Sequence, residues 1–559
     1  MNVEAEVARA LDPAIRAAAG DLGWAGDLDY RQEFSQPPRK EMGDLATNVA
    51  FGLASRLGRS PRDVALAIVS NFVATNLVES AEVAGPGFIN VHLSREWLHD
   101  VVREVAVRGG EYGRAAPNGK RVQVEFVSAN PTGPLTLGHA RNAVIGDVLA
   151  RLLESTGWSV EREYYFNDAG GQMDRFGASV DARYLQLMGR EAEVPEDGYH
   201  GEYITVLARG LVSEMGDELL ALPPEQRLER IRDAATRQVL DWIARSLERF
   251  RVRFDVFISE RDLLERGEIE QAVGRLQEAG YAYDRDGAVW FRATEFGDDK
   301  DRVVVRSNGV HTYFGADCAY LVDKFRRGFD HLIYVWGADH HGDVARVRGA
   351  AQALGFDPAR VEMLIYQWVS FLRDGSPVPM GRRSGNFVTL DDLIEEVGTD
   401  ATRFTLLLRS SDSSLEFDID LVKQQTMENP VYYVQYGHAR IASILRHAAE
   451  RGIVLRPIED VDLSVLSAEA ELDLLRAIAE LPGEVSEAAE LRAPHRLTHY
   501  VQELAARFHR FYTDCRVVTD DEPLTQARLW LCTAAKQTIA NVLALLGVSA
   551  PESMERSDV

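Results

Sequence analysis

The sequence predicts a multidomain α/β protein built around a Rossmann-like, doubly wound parallel sheet. Three observations lead there. Residues 121–127 alternate apolar and polar side chains with a period of two, as a strand does; a small-residue loop with prolines follows over 128–137, and then a long helical pattern from Ala140 to Thr156 closed by Gly157. Strand patterns return at 303–305, before an Asn308-Gly309 turn, and at 331–336. Beyond Asn429-Pro430 the pattern is helical almost to the end, which predicts an all-α bundle.

The elements divide the chain as follows. Residues 1–112 form a small α/β N-terminal domain, with helical periodicity at 3–19 and 44–57. There a Gly85-Pro86-Gly87 turn precedes the alternating run 88–93. Glycines and prolines over 109–120 read as a linker. The sheet domain spans 113–390 and carries an inserted, mostly helical and strongly charged segment at about 170–300. Thr389, with Asp392 three residues on, starts a helix through a capping-box variant. Residues 391–429 are a connecting helical segment and 430–559 the helical C-terminal domain.

Composition bounds the function. The 559 residues suffice for several domains. No run approaches the ~18 uninterrupted apolar residues of a membrane span, and the first residues lack the basic-then-apolar pattern of a secretory signal. Cys318, Cys515 and Cys532 are scattered, so they make neither a disulfide framework nor a zinc cluster; a reducing cytoplasm is the expected compartment. The net charge of −25 argues weakly against a nucleic-acid partner, but a sum does not locate charges.

Five constellations are candidates for chemistry. Ser128-Ala129-Asn130-Pro131-Thr132-Gly133-Pro134-Leu135-Thr136-Leu137-Gly138-His139 lies between a strand's carboxyl end and a helix's amino end, where α/β sheets bind ligands and helix N–H groups favour phosphate. Gly138 leaves room for a nucleotide, and His139 donates to a phosphate oxygen. Met380-Gly381-Arg382-Arg383 places two cations in a glycine-flanked loop suited to a triphosphate, unless the loop is a solvated turn. Tyr313 and Asp317 share a face if their segment is helical, and Glu125 adds a second carboxylate; two carboxylates match a planar guanidinium. Asp339 and His340, in Asp339-His340-His341-Gly342-Asp343, suit substrate contact better than a metal. Tyr432, Tyr433 and Tyr436, interleaved with Gln435 and Arg440, either stack on unpaired bases or fill a bundle core.

Taken together these residues resemble the bacterial arginyl-tRNA synthetases over nearly the whole chain. Thr136-Leu137-Gly138-His139 stands where class I synthetases carry His-Ile-Gly-His, and Pro379-Met380-Gly381-Arg382-Arg383 where they carry Lys-Met-Ser-Lys-Ser. The most specific segments are Tyr165-Phe166-Asn167-Asp168-Ala169-Gly170-Gly171-Gln172, Ser410-Ser411-Asp412-Ser413-Ser414-Leu415-Glu416-Phe417-Asp418 and Asn429-Pro430-Val431-Tyr432-Tyr433-Val434-Gln435-Tyr436. The resemblance implies ATP-dependent activation of L-arginine to an adenylate, with Mg²⁺ accompanying ATP and no tightly bound metal, then transfer to tRNA(Arg), by a monomer with no membrane partner. It implies ATP contacts from Thr136, Leu137, Gly138, His139, Met380, Gly381, Arg382 and Arg383, of which Thr136, His139 and Arg382 serve catalysis. It implies arginine contacts from Glu125, Asn130, Tyr313, Asp317, Asp339 and His340. It implies tRNA contacts from Phe88 and Asn90 to a D-loop base, and from Tyr433, Tyr436 and Met554 in an anticodon-binding domain.

Two departures qualify the resemblance. Thr136 replaces a histidine, keeping a hydroxyl donor without the charge, and Arg382 replaces a lysine with a wider fork, while Pro379 and Gly381 replace a lysine and a serine. Some arginine enzymes without the second signature carry a lysine ahead of the first; here that position is about Gly133. The alternatives are a non-catalytic tRNA-binding paralogue, and another nucleotidyl-transferring enzyme or metal phosphoesterase.

Overall fold

A computed structural model describes residues 3–26, 28–39, 42–378 and 388–554. The N-terminal unit comprises α1 (Val3–Asp21), β1 (Phe34–Ser35), β2 (Leu45–Thr47), α2 (Val49–Leu57), α3 (Pro61–Asn71), β3 (Val78–Ala84) and β4 (Phe88–Leu93). Its strands form an antiparallel sheet in the order β1-β2-β4-β3, whose apolar face packs on α1–α3 through Val7, Leu11, Ile68, Ile89 and Val91. This small core ends at Leu93. The next helix, α4 (Arg95–Arg108), instead buries Leu98, Val102 and Val105 in the large core shared with the C-terminal helices. Packing therefore separates the two units near residue 93, ahead of the 112 read from the glycine-rich linker.

The central sheet follows with β5 (Arg121–Glu125), α5 (Leu137–Ser155) and β6 (Ser159–Phe166), then α6 (Gly171–Leu187), α7 (Glu202–Met215) and α8 (Pro224–Arg249). Next come β7 (Val256–Ser259), α9 (Glu260–Glu265), α10 (Glu268–Glu278), β8 (Ala282–Arg285), β9 (Ala288–Phe291) and β10 (Arg302–Val305). The domain goes on through α11 (Tyr313–Arg326), β11 (His331–Gly337), α12 (Val344–Ala353) and β12 (Val361–Tyr366). The sheet order is β12-β11-β5-β6-β7, all parallel. The chain starts in the middle strand and winds both ways, so the switch point lies between β5 and β11.

Two expectations are corrected here. The stretch 170–300 is not wholly an insertion: β7 lies within it and pairs with β6, so α6–α8 are the crossover that returns the chain to the sheet. Its alternation is short and flanked by charge, which hid it. Val303–Val305 was expected in the central sheet but belongs to β10 of a separate antiparallel sheet, β10-β9-β8.

The remaining elements are β13 (Val369–Arg373), β14 (Ser376–Pro377), α13 (Leu390–Val397), α14 (Thr399–Leu406), β15 (Leu415–Asp418), α15 (Ile419–Val422), α16 (Pro430–Glu450), α17 (Glu469–Glu490), α18 (His495–Asp514) and α19 (Glu522–Leu546). The capping box forms: Asp392 N–H donates to Thr389 Oγ1 at 3.0 Å and Thr389 N–H to Asp392 Oδ2 at 2.8 Å. The connecting segment is not all helical, because Leu415 and Phe417 alternate inward and β15 pairs in parallel with β13. α16–α19 form the expected bundle. By length and composition α19 passes for a membrane span, but two-thirds of its apolar stretch is buried in the protein.

Buried polar side chains join these layers around α5. Arg141 donates to the carbonyls of Gln367, Ser410 and Ser413, tying α5 to the loop after β12 and to the serine-rich loop before β15. Arg403 of α14 pairs with Asp147 and donates to the carbonyls of Leu546 and Phe250. Gly146 allows α5 to lie against β5, since a Cβ there would overlap the Phe126 ring.

Candidate active site

The site gathers at the carboxyl edge of the sheet, around the switch point. β5 ends in Glu125, and the chain then turns through Val127 (φ 66°) and Ser128 (φ 43°), two consecutive non-glycine residues in the left-handed region. A β-branched residue there is strained and persists only where its surroundings force it. They do so: Val127 N–H donates to Asn142 Oδ1 at 2.6 Å, Asn142 Nδ2 donates to the Val335 carbonyl at 2.9 Å, and Tyr164 binds both backbone groups of Ala129. The turn aims Asn130 at Gln172 of α6, whose Oε1 accepts its amide at 2.9 Å.

The loop then enters α5 at its N-cap, Thr136. Thr136 N–H donates to His139 Nδ1 at 3.1 Å, and Thr136 Oγ1 lies 3.0 Å from the same nitrogen. A backbone N–H only donates, so Nδ1 is the acceptor and the neutral ring carries its proton on Nε2. Thr136 thus fixes the histidine's tautomer while capping the helix. A Cβ on Gly138 would meet only Thr136 Oγ1, at 3.6 Å, so the protein's own packing does not require glycine there. At Gly133 a Cβ would lie 2.8 Å from the Tyr203 ring, which leaves no place for a lysine.

The first signature also meets the flank of the second. Leu137 N–H donates to the Val388 carbonyl at 3.4 Å and Leu390 N–H to the Leu135 carbonyl at 2.9 Å, with Thr136 bridged to Thr389. Met380, Gly381, Arg382 and Arg383 lie outside the described residues.

The third group is acidic. Tyr313 and Asp317 stand on the first turns of α11, one above the other, with Tyr313 exposed and Asp317 half-buried. Burial, then Glu125, Glu260 and Asp343, push Asp317 up to about 7. Glu260, at the carboxyl end of β7, accepts from Tyr165 Oη at 2.6 Å, and burial raises its pKa too. Sequence reasoning missed Glu260. The signal was an acid directly after the short alternation of 256–259, hidden by treating that region as an insertion. Glu125, expected as the second carboxylate for a guanidinium, is already paired with buried Lys324 at 2.6 Å, and with Glu260 it is one of the carboxylates that act on Asp317.

Asp339 and His340 sit half-exposed on the 3₁₀ turn after β11, 3.5 Å apart, with Asp343 3.3 Å from His340. Among the described residues no three His, Cys, Asp or Glu side chains converge as a metal site.

Two other candidate groups lie elsewhere. Phe88 is exposed and packs on Phe51 with ring centroids 4.9 Å apart; Asn90, two residues on and on the same strand face, is buried. On α16, Tyr432 is buried, as its core alternative required. Tyr433 and Tyr436 flank His509, at 5.1 and 6.1 Å between centroids. Tyr436 and Met554 line a cleft of about 810 Å³ with Arg440, Arg446, Arg451 and Arg516, a local basic surface on an acidic chain.

A doubly wound sheet with a capped helix, a signature flanked by a second loop and an acidic cluster at its carboxyl edge, followed by a helical bundle, defines a class I aminoacyl-tRNA synthetase. Family models agree along the chain: the arginyl tRNA synthetase N terminal domain matches residues 3–93, the class I (R) tRNA synthetase catalytic domain 101–406, and the DALR anticodon binding domain 434–554. The arginine–tRNA ligase of Carboxydothermus hydrogenoformans is 48% identical over 554 residues, 99% of each chain, and that of Moorella thermoacetica 48% over 560 residues, 99% of this chain and all of the relative. The solved arginyl-tRNA synthetase of Thermus thermophilus superimposes with a TM-score of 0.75 at 24% identity, covering 98% of this chain and all of that one. This chain belongs to the arginyl-tRNA synthetase family.

Proposed function

We propose a division of labour among these residues for the arginine–tRNA ligase reaction that the chain catalyses with ATP. Asp317 and Glu260 take the guanidinium, with Tyr313 at the mouth. Glu125 and Asn130 hold the amino and carboxyl end, and Asp339 or His340 closes the pocket beside it. Thr136, Leu137, Gly138 and His139 receive ATP, bound as its magnesium complex, at the start of α5. His139 donates from Nε2 to a phosphate oxygen. Met380, Gly381, Arg382 and Arg383 complete the nucleotide site, with Arg382 neutralising charge that develops on the phosphates.

In the first step an arginine carboxylate oxygen attacks the α-phosphorus; the α–β phosphoanhydride bond breaks and pyrophosphate leaves. In the second, the terminal adenosine hydroxyl of tRNA(Arg) attacks the activated carbonyl, and AMP leaves. Phe88 and Asn90 meet the D-loop, and Tyr433, Tyr436 and Met554 the anticodon. The reading assigns the N-terminal unit to D-loop contact, the sheet domain to catalysis and 430–559 to the anticodon. It also makes the enzyme a cytoplasmic monomer without a membrane partner; light scattering of the free enzyme tests the monomer.

The observation that carries the proposal is the acidic pair Asp317 and Glu260 at the same sheet edge as Thr136 and His139. The test is aminoacylation of total bacterial tRNA with each of the twenty labelled amino acids. Charging with arginine alone is expected. No charging by folded protein that still binds tRNA would favour a non-catalytic paralogue.

A further inference from the structure

The ligation chemistry uses no lysine, yet one lies directly beneath it. Lys324, near the end of α11, is fully buried. Its ammonium donates to Glu125 Oε2 at 2.6 Å and sits 3.7 Å from the Tyr334 ring centroid and 4.1 Å from that of Tyr320. Glu125 is its one hydrogen-bond acceptor among the described residues. The other oxygen of Glu125 receives the Ser128 hydroxyl at 3.1 Å, and that hydroxyl accepts Tyr165 N–H at 3.2 Å. Glu125 is therefore held at both oxygens, between the interior and the strained turn that leads to the nucleotide site.

The charges around this pair are distributed unevenly. From β6, Glu163 is occupied by the Tyr320 hydroxyl and by Arg327. From α11, Asp317 feels both Glu125 and Glu260, the latter at the end of β7. Without Lys324, Glu125 would be a buried carboxylate among like charges, which repel one another. A buried lysine is costly unless paired, so its presence fixes Glu125 as its partner. Arginine brings two cationic groups of different shape, and a pocket must tell one end from the other.

We propose that Lys324 is a positioning residue for arginine selection: it holds Glu125 in place at the end of β5 and pairs with its charge, so that Asp317 with Glu260 is the seat of the guanidinium. The inference rests on the reading that Glu125 meets the substrate.

The test is a double-mutant cycle on the full chain: Lys324→Met, Glu125→Gln and both together, with aminoacylation kinetics for arginine and for ATP. Lys324→Met is expected to raise the KM for arginine on the order of tenfold or more while the KM for ATP stays within about twofold, as for loss of one end of a buried charge pair. Adding Lys324→Met to Glu125→Gln should change nothing further. An equal effect of Lys324→Met in both backgrounds, or a lower melting temperature with unaltered arginine KM, would overturn the proposal. If Glu125→Gln alone leaves the arginine KM unchanged, the underlying reading of Glu125 fails, and this inference with it. Should Lys324→Met not fold, Lys324→Gln and the neutral double variant, compared with Glu125→Gln, make the same comparison.

Discussion

Asp317→Asn removes the carboxylate that the empty pocket charges with most difficulty. Burial, with Glu125, Glu260 and Asp343 nearby, holds Asp317 at about 7 instead of the ordinary 3.8. That difference corresponds to on the order of 4 kcal/mol against charging it in the free protein. Because the folded pKa is the raised one, the folded state binds this proton more tightly than the unfolded state does. Its contribution to stability is therefore present at low pH, falls as pH rises through the acidic range, and is lost above about 7. A bound guanidinium reverses the balance by favouring the carboxylate. At pH 7, where Asp317 is about half protonated, arginine binding should release about half a proton; below pH 7 the affinity should weaken by up to about tenfold per pH unit. The asparagine variant should release none and should bind arginine more weakly by on the order of 2–4 kcal/mol, with ATP affinity nearly intact. It should also melt above the native protein at pH 8, since the uncompensated charge is gone. Isothermal titration in two buffers of different ionisation heat at pH 6, 7 and 8.5, with melting curves at pH 8, reads all of this. Arginine binding without proton release at pH 7, or a variant that binds arginine like the native chain, would refute the reasoning.

Other perturbations probe other parts. Arg382→Ala should slow adenylate formation more than it weakens ATP binding in single-turnover kinetics; equal losses would place Arg382 in ground-state binding. Tyr436→Ala should weaken tRNA affinity by about 1–3 kcal/mol in a filter-binding assay while arginine activation is spared, and an unchanged affinity removes the 810 Å³ cleft from the tRNA path. Arg440→Gln should lower the slope of tRNA affinity against salt by about one. Arg403→Leu should destabilise the chain by about 3 kcal/mol in urea unfolding, because Asp147 is left buried with only Arg151 beside it; a loss under 1 kcal/mol would show that the pair is dispensable.

What the sequence determined by itself is local. The alternation at 121–127, the capped helix after it, the Thr389–Asp392 box and the helical C-terminal quarter all follow from period and capping, which need only near neighbours. Thr136, His139 and Asp317 were visible for the same reason, since each sits at a helix start with its partner three or four residues away. The tertiary structure decided what depends on contacts between distant residues. Glu260 joins Asp317 only because β7, four residues long, pairs with β6 across a crossover of three helices. Lys324 meets Glu125 across 199 positions of chain, and its burial inverts the expectation that Glu125 is free for a guanidinium. Tyr432 is buried, Tyr433 packs half-buried against the same core and Tyr436 lines the cleft, a choice made by the helices packed on α16 and not by the aromatic pattern. The net charge of −25 was equally silent on the arginine-lined cleft, because a sum over residues carries no positions, and a field near a surface depends on nothing else.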